Sequence, residues 1–148
     1  MLRTGCWVLT TWTASNLILS IKIVWDTLLG SGHSPALFLI LTETEVDALG
    51  PDTLATLDSI AVFANGLNIA FCALALCLIW RGLFRRQAWS FGALLVGFLA
   101  AWFAGAAADF VVGTVAPWVN VVSFVILATG FVFSAVGLFK RQLRQESL

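Results

Sequence analysis

Charge is scarce in this chain. Only 11% of its 148 residues are Asp, Glu, Lys or Arg, whereas about 25% is usual for a soluble domain. Hydrophobic residues make up 60% of the chain, against roughly 45 to 50% in a soluble domain. Eight basic and eight acidic residues give a formal net charge of zero, so no bulk attraction to nucleic acid is expected. The composition indicates a membrane protein that does not bind nucleic acid.

Histidine and cysteine are also rare, which limits the cofactors that the chain can hold. One histidine cannot supply both axial ligands of a bis-histidine haem. Cys6, Cys72 and Cys77 form no C-x-x-C pair and lie at or within apolar stretches, so we interpret them as small hydrophobic residues. No phosphate-binding loop, nucleophile elbow or dinucleotide-binding fingerprint occurs. We therefore expect neither a cofactor nor a metal site.

Long apolar stretches, in contrast, fill most of the chain. They cover residues 7–29, 54–80, 88–112 and 117–139. About 20 helical residues cross the hydrocarbon core of a bilayer, and Asp52 and Pro117 are typical of helix starts. A cleaved signal peptide could also explain the first stretch, but Lys22 and Asp26 would interrupt its apolar region, so we expect a retained helix. The sequence predicts an all-α fold, a single domain of residues 1–148 forming a four-transmembrane-helix bundle.

Residues 30–53 connect the first two spans. The apolar run 36–41 is too short to cross a bilayer, and Thr42 with Glu45 forms a capping-box pattern ahead of residues 46–49. We expect this loop to lie in the membrane interface or to fold over the bundle as a lid. His33 is expected to be solvated within it.

The charges also predict the orientation. Basic residues cluster beside one set of span ends: Arg3, Arg81, Arg85, Arg86, Lys140, Arg141 and Arg144. Acidic residues occupy the other set: Asp26, Glu43, Glu45, Asp47, Asp52, Asp58 and Asp109. Because basic loops stay in the cytoplasm, both termini are predicted to be cytoplasmic and the loop 30–53 extracytoplasmic. For so compact a chain we expect a prokaryotic inner (plasma) membrane.

Several polar residues lie inside the spans, near their acidic ends. Lys22 and Asp26 are four residues apart and share one helix face. A charged group at the centre of a membrane span costs about 2.5 to 3.5 kcal/mol on insertion scales, so it normally has a partner or a function. Asp26 and Asp109 lie at C-terminal helix ends, where a negative charge is disfavoured. We therefore expect Lys22 to bridge to Asp109 as well as to Asp26.

These residues admit two interpretations. One is an outward-facing polar pocket for a small polar or cationic molecule or a lipid headgroup, formed by Lys22, Asp26, Asn65, Asn68, Trp102, Asp109 and Asn120. The other is an interhelical cluster of hydrogen bonds and ion pairs that sets the helix register, with about 0.6 kcal/mol from each contact. The sequence leaves both open.

Three functions follow. The chain could be an accessory or oligomer-forming subunit of a membrane complex, since Gly97, Ala101, Gly105 and Ala108 allow close helix packing in the third span. It could bind or transport a small molecule or lipid through the polar pocket. Thirdly, it could be an intramembrane enzyme with Asp26 or Asp109 as acid or base. Small residues that face outward would favour the subunit, and small residues that face inward would leave less room for a pocket.

Overall fold

Helices are the only regular secondary structure in the described part of the chain. The computed structural model describes residues 1–30, 33–39, 41–112 and 118–145, with residues 39, 108, 109, 111, 112 and 141–145 described by their backbone only. No strand occurs in these ranges, and their α-helices are α1 (Leu2–Leu29), α2 (Glu43–Asp47), α3 (Pro51–Cys77), α4 (Ala88–Val112) and α5 (Trp118–Gln145). Four of them, all except α2, are long and apolar enough to cross a membrane. This confirms the all-helical class with four candidate spans. Pro117 lies outside the described residues.

Helix α1 packs along its length between α3 and α5. Glycines bring the α1 and α5 backbones close together. A Cβ atom added to Gly5 would lie 2.6 Å from the Ser134 backbone nitrogen and 2.7 Å from the Gly130 carbonyl oxygen. A Cβ added to Gly130 would lie 2.8 Å from Cδ2 of Leu9. Small residues at a helix seam allow the close backbone approach that stabilises packing in lipid.

Helix α4 packs through aromatic side chains instead. Phe98, which is buried, contacts three rings edge to face. Its ring centroid lies 5.5 Å from that of Trp12, 5.3 Å from that of Phe71 and 5.8 Å from that of Phe131. Edge-to-face pairs place the positive ring edge against the negative ring face. These rings therefore fill the core between α4 and the other three long helices.

The connection between α3 and α4 is also helical. After Cys77 the chain forms a π-helical turn, Leu78–Gly82, and a 3₁₀ turn, Leu83–Arg85. The buried Ile79 and Leu83 anchor this segment in the core. At Gly82 an added Cβ would lie 2.6 Å from Oγ of Ser90, so the turn packs closely against the start of α4. We call this end of the bundle the turn end, and the end that carries residues 33–50 the loop end.

The connection between α1 and α3 folds onto the start of α3. Leu37 and Val46 are buried against Leu54. The predicted capping box is confirmed, because the Thr42 backbone N–H donates to the Glu45 carboxylate at 2.8 Å and the Glu45 backbone N–H pairs with the Thr42 side chain. The Thr42 hydroxyl also donates to the Glu45 carboxylate at 2.8 Å. These bonds hold the pKa of the Glu45 carboxyl below its usual range. The loop therefore covers the loop end of α3.

Candidate functional site

The ion pair predicted on α1 is present. The Lys22 ammonium donates to the Asp26 carboxylate one turn further along the helix. The Lys22 side chain is 68% exposed and that of Asp26 is 33% exposed, so the pair lies on the outer face of α1. The predicted second bridge would involve the Asp109 side chain, which lies outside the described side chains.

The two asparagines of α3 form different contacts. Asn68 Nδ2 donates to the Ser20 hydroxyl at 2.8 Å, which links α3 to α1. The Cys72 thiol lies 3.8 Å from the Asn68 amide oxygen. Asn65 Nδ2 donates to the Ala61 carbonyl of its own helix at 2.9 Å. Asn68 therefore contributes a helix-to-helix hydrogen bond, and Asn65 a bond within α3.

Trp102 and Asn120 lie together between α4 and α5. The indole nitrogen of Trp102 donates to the Asn120 carbonyl oxygen at 3.1 Å. Gly105 leaves room beside them, because an added Cβ would lie 3.7 Å from the Asn120 side-chain oxygen. The Trp102 ring centroid is 4.7 Å from that of Phe124. The structure thus joins these two predicted residues directly.

The contacts described above for the predicted site residues lie in three separate places. Lys22 and Asp26 pair on α1, Asn68 bonds to α1, and Trp102 bonds to α5. A cavity of about 210 Å³ adjoins the third place, between α4 and α5. Its lining is apolar and aromatic: Leu95, Phe98, Leu99, Trp102, Phe124, Leu127, Ala128, Phe131 and Val132. Apolar groups fit this cavity better than polar ones, because its lining side chains leave a buried polar group without a partner.

A polar cluster that the sequence interpretation did not assemble lies at the loop end. Asp58 of α3 accepts a hydrogen bond at 2.9 Å from the backbone N–H of the buried Ser34. The Ser34 hydroxyl lies 2.9 Å from that of Thr27 on α1. His33 Nδ1 is 3.7 Å from the second Asp58 carboxylate oxygen. Through Ser34, Asp58 and Thr27 hold the loop against α3 and α1. The only feature of the sequence that indicated this cluster was an acidic residue in the second turn of α3.

A groove lies beside this cluster, between α1 and α3. We call it the loop-end groove, and its volume is about 390 Å³. Its lining residues are Thr27, Leu28, Asp58, Ser59, Val62 and Phe63. The Asp58 side chain is 24% exposed. The groove therefore combines a carboxylate with apolar walls.

The cysteines and the metal-ligating side chains form no further site among the described residues. Cys6 and Cys72 are buried, whereas Cys77 is exposed. Within the described ranges, no three His, Cys, Asp or Glu side chains lie close enough to hold a metal ion.

The fold and these contacts define a class of protein: an all-helical chain with four candidate membrane-spanning helices. Comparison with known proteins found no matching family model, curated protein or solved structure.

Proposed function

We propose that this chain is a multi-pass membrane protein that acts as an accessory or oligomer-forming subunit of a membrane complex. Both termini lie on the cytoplasmic side in this proposal. The positive-inside rule supports the orientation, because Arg81, Arg85 and Arg86 lie at the turn end and Glu43, Glu45 and Asp47 at the loop end.

The outward face of α4 carries the argument for a subunit. Ala93, Ala100, Ala104 and Ala107 are all exposed and follow one another at spacings of seven, four and three residues, so they form one alanine stripe. Small side chains on a membrane helix permit another helix to approach its backbone closely. The alanine stripe therefore suits packing against a partner helix or a second copy of this chain.

The small residues that the sequence analysis named on α4 do not all lie on the same face of that helix. An added Cβ at Gly97 would lie 3.3 Å from the Phe71 ring, and one at Gly105 would lie 3.7 Å from the Asn120 side chain, so both glycines face inward. Ala101 is exposed, and the Ala108 side chain lies outside the described side chains. Gly97 thus allows α4 to pack closely against Phe71 of α3, while neighbouring alanines remain available to a partner.

The hydrogen bonds of polar side chains inside the helices also support a structural role. Asn68 and Trp102 bond to neighbouring helices, and Thr13 and Asn65 bond to carbonyls of their own helices. Such bonds satisfy the polar groups where lipid offers no partner. They favour a scaffold over a polar transport path through these residues.

Native mass spectrometry of the gently solubilised protein tests the proposal by reading out stoichiometry. We expect a defined oligomer or complex, and replacement of Ala100 and Ala104 by Leu should lower its fraction about tenfold, equivalent to about 1.4 kcal/mol. The larger side chains would hold the partner backbone away.

Ala101→Leu is the matched control, since it makes the same substitution at an exposed position beside the alanine stripe. It should leave the stoichiometry unchanged. A wild-type protein that stays monomeric, or an equal loss in the control, would contradict the subunit proposal.

Small-molecule or lipid binding is the second candidate, and the cavity beside Trp102 favours it. Its apolar and aromatic lining suits an acyl chain or another apolar molecule. The same mass spectrum would reveal such a molecule as an added mass on the protein.

A further inference from the structure

The mouth of the loop-end groove presents hydrogen-bond acceptors. The Thr27 hydroxyl donates to the Ile23 carbonyl at 2.7 Å, and the Ser59 hydroxyl donates to the Ala55 carbonyl at 2.8 Å. A hydroxyl has one hydrogen and two lone pairs, so the Ser59 oxygen can still accept a bond, and the Thr27 oxygen retains one lone pair beyond its contact with the Ser34 hydroxyl. A ligand group that donates hydrogen bonds therefore fits this mouth better than an anion.

Asp58 adds a negative charge at the same place. One of its oxygens accepts the Ser34 N–H at 2.9 Å, while the other is 3.7 Å from His33 Nδ1, beyond normal hydrogen-bond reach. A carboxylate has about four lone-pair sites, so the second oxygen retains capacity for a donor. The Lys22 ammonium of α1 is paired with Asp26.

The groove becomes apolar with depth. Val62 and Phe63 follow Asp58 and Ser59 by one helical turn, which places them about 6 Å deeper along α3. On α1, Leu28 lies one residue nearer the helix end than Thr27, so the change from polar to apolar with depth occurs along α3. Because α1 and α3 are both long and apolar enough to span a membrane, the ends of these helices lie at headgroup level and the apolar walls lie at the level of the acyl chains.

We propose that the loop-end groove binds a phospholipid whose headgroup carries a primary ammonium. The ammonium donates to the free side of the Asp58 carboxylate, and one acyl chain lies along Val62 and Phe63. Charge complementarity selects the headgroup, and the order of polar mouth and apolar walls matches the orientation of a lipid in the bilayer. This site goes beyond the subunit function, since it lies away from the alanine stripe of α4.

Native mass spectrometry of the full chain in mild detergent, with equimolar phosphatidylethanolamine and phosphatidylglycerol, tests the assignment. We expect about tenfold more bound phosphatidylethanolamine than phosphatidylglycerol on the wild type. Asp58→Asn should remove this preference, because the amide lacks the negative charge. Val62→Trp should lower binding of phosphatidylethanolamine about tenfold by filling the groove while leaving the carboxylate in place.

Asp52→Asn is the matched control, since it removes an exposed acid six residues earlier on α3, outside the groove. It should retain the wild-type preference. Helical circular dichroism confirms that each variant is folded, and Val62→Trp still decides the matter if Asp58→Asn does not fold. Equal binding of the two lipids, or wild-type binding by Val62→Trp, would overturn the proposal. The proposal would also be overturned if the protein bound dodecylamine but did not bind phosphatidylethanolamine. A second copy of the chain that filled the groove in place of lipid would overturn it as well.

Discussion

Arg86 has a left-handed backbone conformation, with φ of 64° and ψ of 29°, where the chain reverses between α3 and α4. This conformation brings the Cβ of an L-residue close to its own backbone and costs roughly 1 to 2 kcal/mol. Glycine has no Cβ and adopts it freely. We predict that Arg86→Gly raises the free energy of unfolding by up to about 1 kcal/mol, measured by denaturant titration followed by circular dichroism.

The neighbouring Arg85 provides the control for this substitution. It is equally exposed and equally charged but lies in the 3₁₀ turn with a right-handed backbone. Arg85→Gly should lower the free energy of unfolding by roughly 0.5 to 1 kcal/mol, because glycine loses more conformational freedom on folding. If the two variants changed stability in the same direction, the strain at Arg86 would not be the cause.

At the level of whole helices, the close packing of α1 against α5 depends on glycine. At Gly5 an added methyl group would meet backbone atoms of Ser134 and Gly130 at 2.6 and 2.7 Å, and backbone cannot move aside as a side chain can. We predict that Gly5→Ala lowers the free energy of unfolding by about 1 to 3 kcal/mol through overpacking. Unfolding in a mixed detergent series, followed by tryptophan fluorescence, measures the change.

Gly92 of α4 allows the same substitution without the clash, since an added Cβ there meets nothing within 4 Å. Gly92→Ala should be neutral or stabilise the protein by up to about 1 kcal/mol, because alanine favours the helix. A loss of stability equal to that of Gly5→Ala would show that glycine content, and not the close α1 to α5 approach, governs the effect.

In the proposed topology, four spans put both termini on the same side of the membrane, and the positive-inside rule predicts that this is the cytoplasmic side, because the turn end is basic. We expect a cysteine at Glu43 to react with a membrane-impermeant maleimide in intact cells. The background carries Cys77→Ser, because Cys77 is exposed whereas Cys6 and Cys72 are buried. Labelling is measured by the mass shift of the protein.

Gln87 lies in the exposed connection at the turn end and gives the opposite expectation. A cysteine there should react only after the cells are made permeable. Reaction of the Gln87 position in intact cells, with protection of the Glu43 position, would reverse the proposed orientation.

The helical fold of the whole molecule could be predicted because its causes are local in the chain. An apolar run of more than 20 residues must satisfy its backbone groups within itself in lipid, and a helix does this. The capping box of Thr42 and Glu45 is likewise confirmed, since it involves residues three positions apart. The ends of the helices differ from the ends of the predicted spans. Helix α1 begins at Leu2, and the π-helical turn extends the second span.

The candidate sites depended on tertiary structure. The Lys22 to Asp26 pair follows from helical spacing alone, whereas Asn68 meets Ser20 across 48 positions and Asp58 meets Ser34 across 24. The sequence by itself determined the helices and which residues share a face, because periodicity is a property of one helix. Only the tertiary structure decided which faces meet, because that depends on close packing between helices such as the glycine seam of α1 and α5.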